Sequence, residues 1–267
     1  MTYLEAVVLG LIQGLTEFLP VSSSGHLALA EALFGLPPGD LLFEIVVHVA
    51  TLLAVVAYYR GELRQILAGF VRPEGSEVAG MSSWRWLGLL VIGTLPAVVV
   101  GLTLEARIEA AFGDYSAIGF SLLATGTLLL STRALSGVLR RLGAGRALAI
   151  GCAQAVAILP GVSRSGATIA TALWLGVERE QAARFSFFLA LPAITGAFIL
   201  QLAKALKSGS LPGVNDWGPL VVAFVIAGVS GYVAVGLLLR ALARRHFALF
   251  GIWCWLVGLA ALWHWRT

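Results

Sequence analysis

The segment Val21-Ser22-Ser23-Ser24-Gly25-His26 has a second copy 141 residues further on, Val162-Ser163-Arg164-Ser165-Gly166-Ala167. Each copy follows a proline, Pro20 in the first and Pro160 in the second, and each breaks a chain that is otherwise almost continuously apolar. Polar, turn-forming backbone cannot lie in hydrocarbon unless protein or a water-filled cavity satisfies its N–H and C=O groups. Paired interruptions in the two halves of a membrane protein therefore point to a buried site between the halves. The copies also differ. Only the first carries Glu17 and His26, and only the second carries Arg164 and Thr168. The scaffold is duplicated while the chemistry is divided.

Composition supports the membrane reading. Of 267 residues, 59% are hydrophobic and 12% charged, against about 25% charged in soluble domains, and the mean hydropathy is +0.91. A soluble core of this size would not hide so much apolar surface. The net charge of +4 reflects Arg residues between apolar spans, as the positive-inside rule expects, and no nucleic-acid partner is implied. Cys152 and Cys254 lie in apolar runs and form no metal or disulfide pattern. No Lys or Arg precedes Arg60, so the basic region of a cleaved signal peptide is lacking and the first apolar segment is expected to stay.

The expected fold is all-α: a polytopic membrane protein with six transmembrane helices and two re-entrant helix pairs in an inverted repeat. The six spans fall near 43–59, 85–104, 117–135, 183–203, 218–239 and 248–264. Shorter helical pieces at about 3–18 and 25–35, then 145–159 and 166–176, flank the two interruptions. Gly10/Gly151, Gln13/Gln154, Gly25/Gly166 and Gly35/Gly176 share the spacing of 141, and Gly119/Gly251 and Gly126/Gly258 share one of 132. One membrane domain, 1–267, then divides into repeats of about 1–136 and 142–267, joined near 136–146. Three spans per half invert the second repeat. The loops holding Arg60, Arg64, Arg72 and Arg85, then Arg133, Arg140, Arg141 and Arg146, then Arg240, Arg244 and Arg245, fall on one side, assigned to the cytoplasm. The loop with Glu105, Glu109 and Asp114 falls opposite. Both termini are expected outward, and the two tips meet near the midplane.

Gln13 and Glu17 are four residues apart and share a helix face. A carboxylate in a membrane segment is a functional-site candidate by default. Ser22, Ser23 and Ser24 precede Gly25 at a helix start, where one serine suffices as a cap and free N–H groups can receive an anion. His26 suits a general acid or base. Ser163, Ser165, Gly166 and Thr168 surround Arg164, whose planar donor fork suits phosphate; pairing with Glu17 is the plain structural alternative for that arginine. Glu44, His48 and Thr51 share a face of the third apolar segment and either support the site or line the bundle. One carboxylate, an amide, an Arg, a His and a serine cluster fit phosphoryl transfer, which is mostly positioning and charge neutralisation. The catalytic candidates are Glu17, Ser23, His26 and Arg164. Ser23 is the serine replaced by an arginine in the second copy, which favours it as nucleophile, with Ser24 or water open as alternatives.

These motifs resemble those of the undecaprenyl-diphosphate phosphatase family, the integral-membrane type linked to bacitracin resistance. Gln13 to Glu17 with Leu19 to His26 matches its first motif, Pro160 to Thr168 its second, and Arg184 to Phe188 with Pro192 a further segment. Gln13 departs from the Glu that many members carry. The resemblance implies hydrolysis of undecaprenyl diphosphate to the monophosphate and inorganic phosphate, recycling the lipid carrier of cell-wall synthesis at the bacterial plasma (inner) membrane. It also implies a divalent cation, Mg2+ or Ca2+, with Glu17 as its ligand. The substrate-binding candidates are Gln13, Ser22, Ser24, Gly25, Ser163, Ser165, Gly166 and Thr168. Partners are the polyprenyl diphosphate and membrane lipid, and a homodimer is left open. The competing function is a transporter or flippase of a phosphorylated lipid, since inverted repeats with broken helices also build carriers.

Overall fold

The computed structural model describes residues 1–36, 41–71, 77, 78, 80–135, 141–208 and 217–265. Arg72, Arg140 and the junction at 136–140 lie outside the described residues. Helix α1 (Tyr3–Phe18) starts at a capping box, in which Glu5 N donates to Thr2 Oγ1 and Thr2 N donates to the Glu5 carboxylate. It pairs with α2 (Ser23–Phe34). Then come α3 (Leu41–Tyr58), α4 (Arg60–Val71), a two-stranded hairpin of β1 (Glu77–Val78) and β2 (Met81–Ser82), α5 (Ser83–Thr103), α6 (Glu105–Ala111) and α7 (Tyr115–Ser131). A second helix pair, α8 (Ala144–Val156) and α9 (Arg164–Trp174), precedes α10 (Arg179–Ser208), α11 (Gly218–Ala243) and α12 (Phe250–His264).

Among the described residues, five helical segments are long and apolar enough to cross a membrane: Ser83–Thr103, Tyr115–Ala134, Arg179–Ala203, Gly218–Ala243 and Phe247–His264. The expected span at 43–59 is α3, which runs into α4 through a 74° bend; the pair makes a sixth span only when counted together. The sequence between Arg60 and Arg85 reads as a loop because charges interrupt it, yet it contains a helix. Leu63, Ile66 and Phe70 recur at helical spacing and pack on the core, while the charged positions alternate with them. The second helix of each pair, α2 and α9, begins two residues before its expected start. Ser22 and Ser163 are the caps, accepting from Gly25 N at 3.3 Å and Gly166 N at 3.0 Å. The expected acidic loop contains α6, and Asp114 caps α7 by accepting from Ala117 N at 2.9 Å.

Tight helix pairing comes from small residues. Helix α1 lies against α11 and α8 against α5. A Cβ on Gly14 would come 2.5 Å from Ala227 O, and one on Gly151 would overlap the Gly93 backbone. The α7–α12 contact is reciprocal. A Cβ on Gly126 would lie 2.7 Å from Gly251 O and one on Gly251 2.5 Å from Gly126 O, while Gly119 and Gly258 face each other in the same manner. Pairing of higher numbers on one helix with lower numbers on the other makes the two antiparallel. Inside, Phe18, Phe187, Phe188, Tyr59 and Trp86 form an aromatic core, with Phe18 and Phe187 edge to face at 5.7 Å. Outside, Val91, Leu95, Val99, Val221, Val225, Val229, Leu256 and Leu259 are exposed, an apolar surface suited to hydrocarbon and not to water.

Candidate active site

Glu17 lies in the last turn of α1 and is buried. Its carboxylate collects donors from three elements. Gln13 Nε2 donates to Oε2 at 3.1 Å, as the four-residue helical spacing requires. Ser23 Oγ donates to the same oxygen at 2.7 Å. Arg164 Nη2 donates to Oε1 at 2.7 Å across 147 residues of sequence. Ser23 is the first residue of α2 and Arg164 the first of α9. Two helix N-termini therefore end at one carboxylate, an arrangement that favours an anion once the carboxylate is engaged elsewhere. A buried charge next to an opposite charge is retained where breaking the pair would strand the survivor.

The tips touch. A Cβ on Gly25 would lie 2.9 Å from the Gly161 Cα, and Ser165 Oγ donates to Leu19 O at 3.3 Å. The second tip turns at Gly161, whose φ of 86° suits a residue without Cβ. Thr125 on α7 ties it down, donating to Gly161 O at 3.1 Å and accepting from Ser163 N at 3.2 Å. The first tip turns instead at Ser22, with φ 73° and ψ 98°, a conformation costing a non-glycine residue about 1–3 kcal/mol. Its carbonyl accepts from His26 N at 3.2 Å and from His26 Nδ1 at 2.9 Å. Trp253 Nε1 on α12 donates to His26 Nε2 at 2.9 Å, and Cys254 Sγ donates to Pro20 O at 3.7 Å.

Several candidates thus fall in places the sequence does not reveal. Both ring nitrogens of His26 bond to Ser22 and Trp253, and neither bonds to Ser23 or Glu17. The histidine beside the carboxylate is His48, with Nε2 at 3.9 Å from Glu17 Oε2 and Nδ1 at 2.7 Å from Glu44 O. Ser24 Oγ meets Ser22 Oγ at 3.4 Å. Thr168 is fully buried, donating to Arg164 O at 2.8 Å and meeting Ser186 Oγ at 2.6 Å, so it fastens α9 to α10. Ser163 and Ser165 are buried cap and tie residues. Gly166 packs against the Ser163 side chain. Trp253 carries no motif that would single it out, and Ser186 lies in the Arg184 to Phe188 segment without being marked there as a partner of Thr168. Arg184 lies in a separate cluster, with Nε at 3.0 Å from Glu62 Oε2 and Nη2 at 2.9 Å from Glu180 Oε1.

Among the described residues, two buried atoms at the centre have no hydrogen-bond partner: Gln13 Oε1, an acceptor, and Arg164 Nη1, a donor. Arg164 Nη1 suits a phosphoryl oxygen, and Gln13 Oε1 suits a hard cation or its water. Among the described residues no three His, Cys, Asp or Glu lie together as a metal cage. Glu17, Gln13 Oε1 and His48 Nε2 are the residues that could hold a divalent cation, which would supply neutralising charge to a phosphate.

Residues 6–260 match the family described as bacitracin resistance protein BacA. Among curated proteins, the chain is similar to the undecaprenyl-diphosphatase of Desulforapulum autotrophicum, at 40% identity over 97% of this chain and 96% of that protein. It is 40% identical to the undecaprenyl-diphosphatase of Christiangramia forsetii over 98% of both chains. The corresponding protein of Korarchaeum cryptofilum is 41% identical over 97% of both.

Proposed function

Because this chain belongs to the family of bacitracin resistance protein BacA, we propose that it hydrolyses undecaprenyl diphosphate to undecaprenyl phosphate and inorganic phosphate within the membrane. The observation that carries the reading is the convergence of Ser23 Oγ and Arg164 Nη2 on the Glu17 carboxylate, each at 2.7 Å. A hydroxyl bonded to a carboxylate is an activated nucleophile, and an arginine with one nitrogen to spare is an oxyanion ligand. The free Nη1 of Arg164 takes an oxygen of the terminal phosphate, and the first turns of α2 and α9 add their N–H dipoles. Ser23 Oγ attacks the terminal phosphorus, its proton passes to Glu17, and undecaprenyl phosphate leaves. Water then attacks the phosphoserine, and both of its protons stay on the phosphate. Inorganic phosphate departs, and Glu17 returns its own proton to Ser23. Ser23 is preferred to Ser24 because its hydroxyl faces the carboxylate, while that of Ser24 meets Ser22.

A divalent cation at Glu17, Gln13 and His48 would neutralise diphosphate charge. The test is the Glu17→Gln variant after EDTA treatment: its rate should not respond to added Mg2+, and a full response would move the cation's ligands elsewhere. Duplication, with an inverted second half, is supported by the packing. The first helix of each half lies on a helix of the other, α1 on α11 and α8 on α5, and the α7–α12 glycine contacts exchange as a two-fold axis demands. With the Arg-rich loops in the cytoplasm, the termini face outward, the membrane is the bacterial plasma membrane, and the lipid enters sideways from the outer leaflet. Release of phosphate from polyprenyl diphosphate by the purified protein in detergent, where no compartments exist, tests the enzyme against a carrier. No release under conditions that keep the chain folded would overturn the phosphatase.

A further inference from the structure

We propose that His26 is a positioning residue, the middle of a brace running from Trp253 through His26 to Ser22 that keeps the Ser23 hydroxyl on Glu17. The inference rests on the phosphatase reading of Ser23 and Glu17, and it reassigns the histidine within that reading.

A neutral imidazole has one donor and one acceptor. The Ser22 carbonyl can only accept, so His26 Nδ1 carries the hydrogen in the 2.9 Å contact. The indole of Trp253 can only donate, so His26 Nε2 offers its lone pair in the other 2.9 Å contact. The two partners fix one tautomer and use both nitrogens. Nothing remains to take a proton from Ser23 unless one of these bonds opens, and Ser23 already has Glu17.

What the brace supports is the Ser22 turn. Ser22 stands at φ 73°, where a side chain is strained unless its surroundings hold it. Its carbonyl is gripped twice by His26, through the backbone N–H and through the ring. Its hydroxyl caps α2 at Gly25 N. Ser23 follows directly, so the direction of its hydroxyl depends on that turn. The second copy is the internal control. It places its positive-φ turn on Gly161, at 86°, and its cap Ser163 has an ordinary φ of −76°. There the position matching His26 is Ala167, and the α7 position matching Trp253 is Ser121, which lies against Gly161. The copy without the strained serine lacks both members of the brace.

Trp253 also links the brace to the bilayer. It lies on α12 and is half exposed on the apolar surface, so one end of the brace is at the lipid and the other at the reacting hydroxyl.

The test separates a brace from a proton carrier by the placement of one atom. His26→Asn keeps a donor nitrogen at the δ position but cannot take up a proton. His26→Gln moves the nitrogen to the ε position. The brace predicts that His26→Asn keeps turnover within about ten-fold of the native chain, while His26→Gln and His26→Ala lose about a hundred-fold or more in kcat with little change in KM. Trp253→Phe, which keeps the ring and removes the N–H, should lose about three- to ten-fold. His26→Asn as inactive as His26→Ala would overturn the brace. A second readout needs no substrate. The 15N spectrum of His26 in the detergent-solubilised chain should show the Nδ1-protonated neutral ring, with its Nε2 resonance moved by Trp253→Phe. A proton resident on Nε2, or no response to Trp253→Phe, overturns the brace whether or not phosphate is released. A native chain that releases no phosphate while the 15N result holds would count against the phosphatase reading alone.

Discussion

The two tips share a serine cap at the start of the following helix, and they hold themselves in opposite ways. The second turns on glycine, and a single hydroxyl, Thr125, satisfies both Gly161 O and Ser163 N. The first turns on a serine and is held from outside by His26, Trp253 and Cys254. A glycine turn is conformationally free, so a tip built on one can devote its variable position to a long charged side chain, Arg164. A serine turn must be gripped, and in return its neighbour Ser23 is aimed at Glu17 with a short, stiff side chain. The two tips thus supply two different instruments, a charge on a reach and a hydroxyl at a fixed point, which face each other across one carboxylate.

Removing the instrument of the first tip should have the largest effect. Ser23→Ala should lower kcat for phosphate release by about a thousand-fold or more, with Ser24→Ala within about ten-fold; equal losses would mean that the first tip is only scaffold. Next comes the second tip's instrument. Arg164→Lys keeps the charge but loses the fork, and turnover should fall about a hundred-fold; native turnover would leave Arg164 merely balancing Glu17. The remaining effects are on stability, read as unfolding in detergent. Gly161→Ala forces a Cβ into a left-handed position, 2.6 Å from Ile118 O, and should cost about 2 kcal/mol or more. Thr125→Val strands two buried backbone groups and should cost about 1–2 kcal/mol. Ser22→Gly should change stability by less than about 1 kcal/mol, because relief at positive φ offsets the weaker cap; a loss matching Gly161→Ala would erase the contrast between the tips.

Much of the site was legible because its signals are local. Ser22 and Ser163 read as caps from their place before a helix, and Gln13 and Glu17 as one face from their spacing. Glu17 stood out because a carboxylate among apolar residues is unusual. Local signals misled where a residue's partner comes from elsewhere. His26 follows the serines in sequence, yet its ring bonds back to the turn and across to α12. Thr168 sits in the motif but faces Ser186, and His48 reaches Glu17 from a helix whose own pattern leaves open whether its polar face supports the site or lines the bundle. The helix at Arg60–Val71 was hidden by its charges, since an amphipathic helix with charges on one face can have the composition of a loop.

The sequence by itself determined that the chain lies in a membrane, that two polar turns interrupt it at matching places, and that a carboxylate, serines and an arginine are divided between them. These follow from hydropathy, helical period and capping, which act over a few residues. Only the tertiary structure decided which histidine stands beside Glu17, which nitrogen His26 presents, and that Trp253 and Ser186 belong to the site's support. Hydrogen bonds between elements depend on the crossing of helices that carry no record of one another in their own periodicity. A buried donor is assigned only when the packed chain fixes which acceptor it can reach.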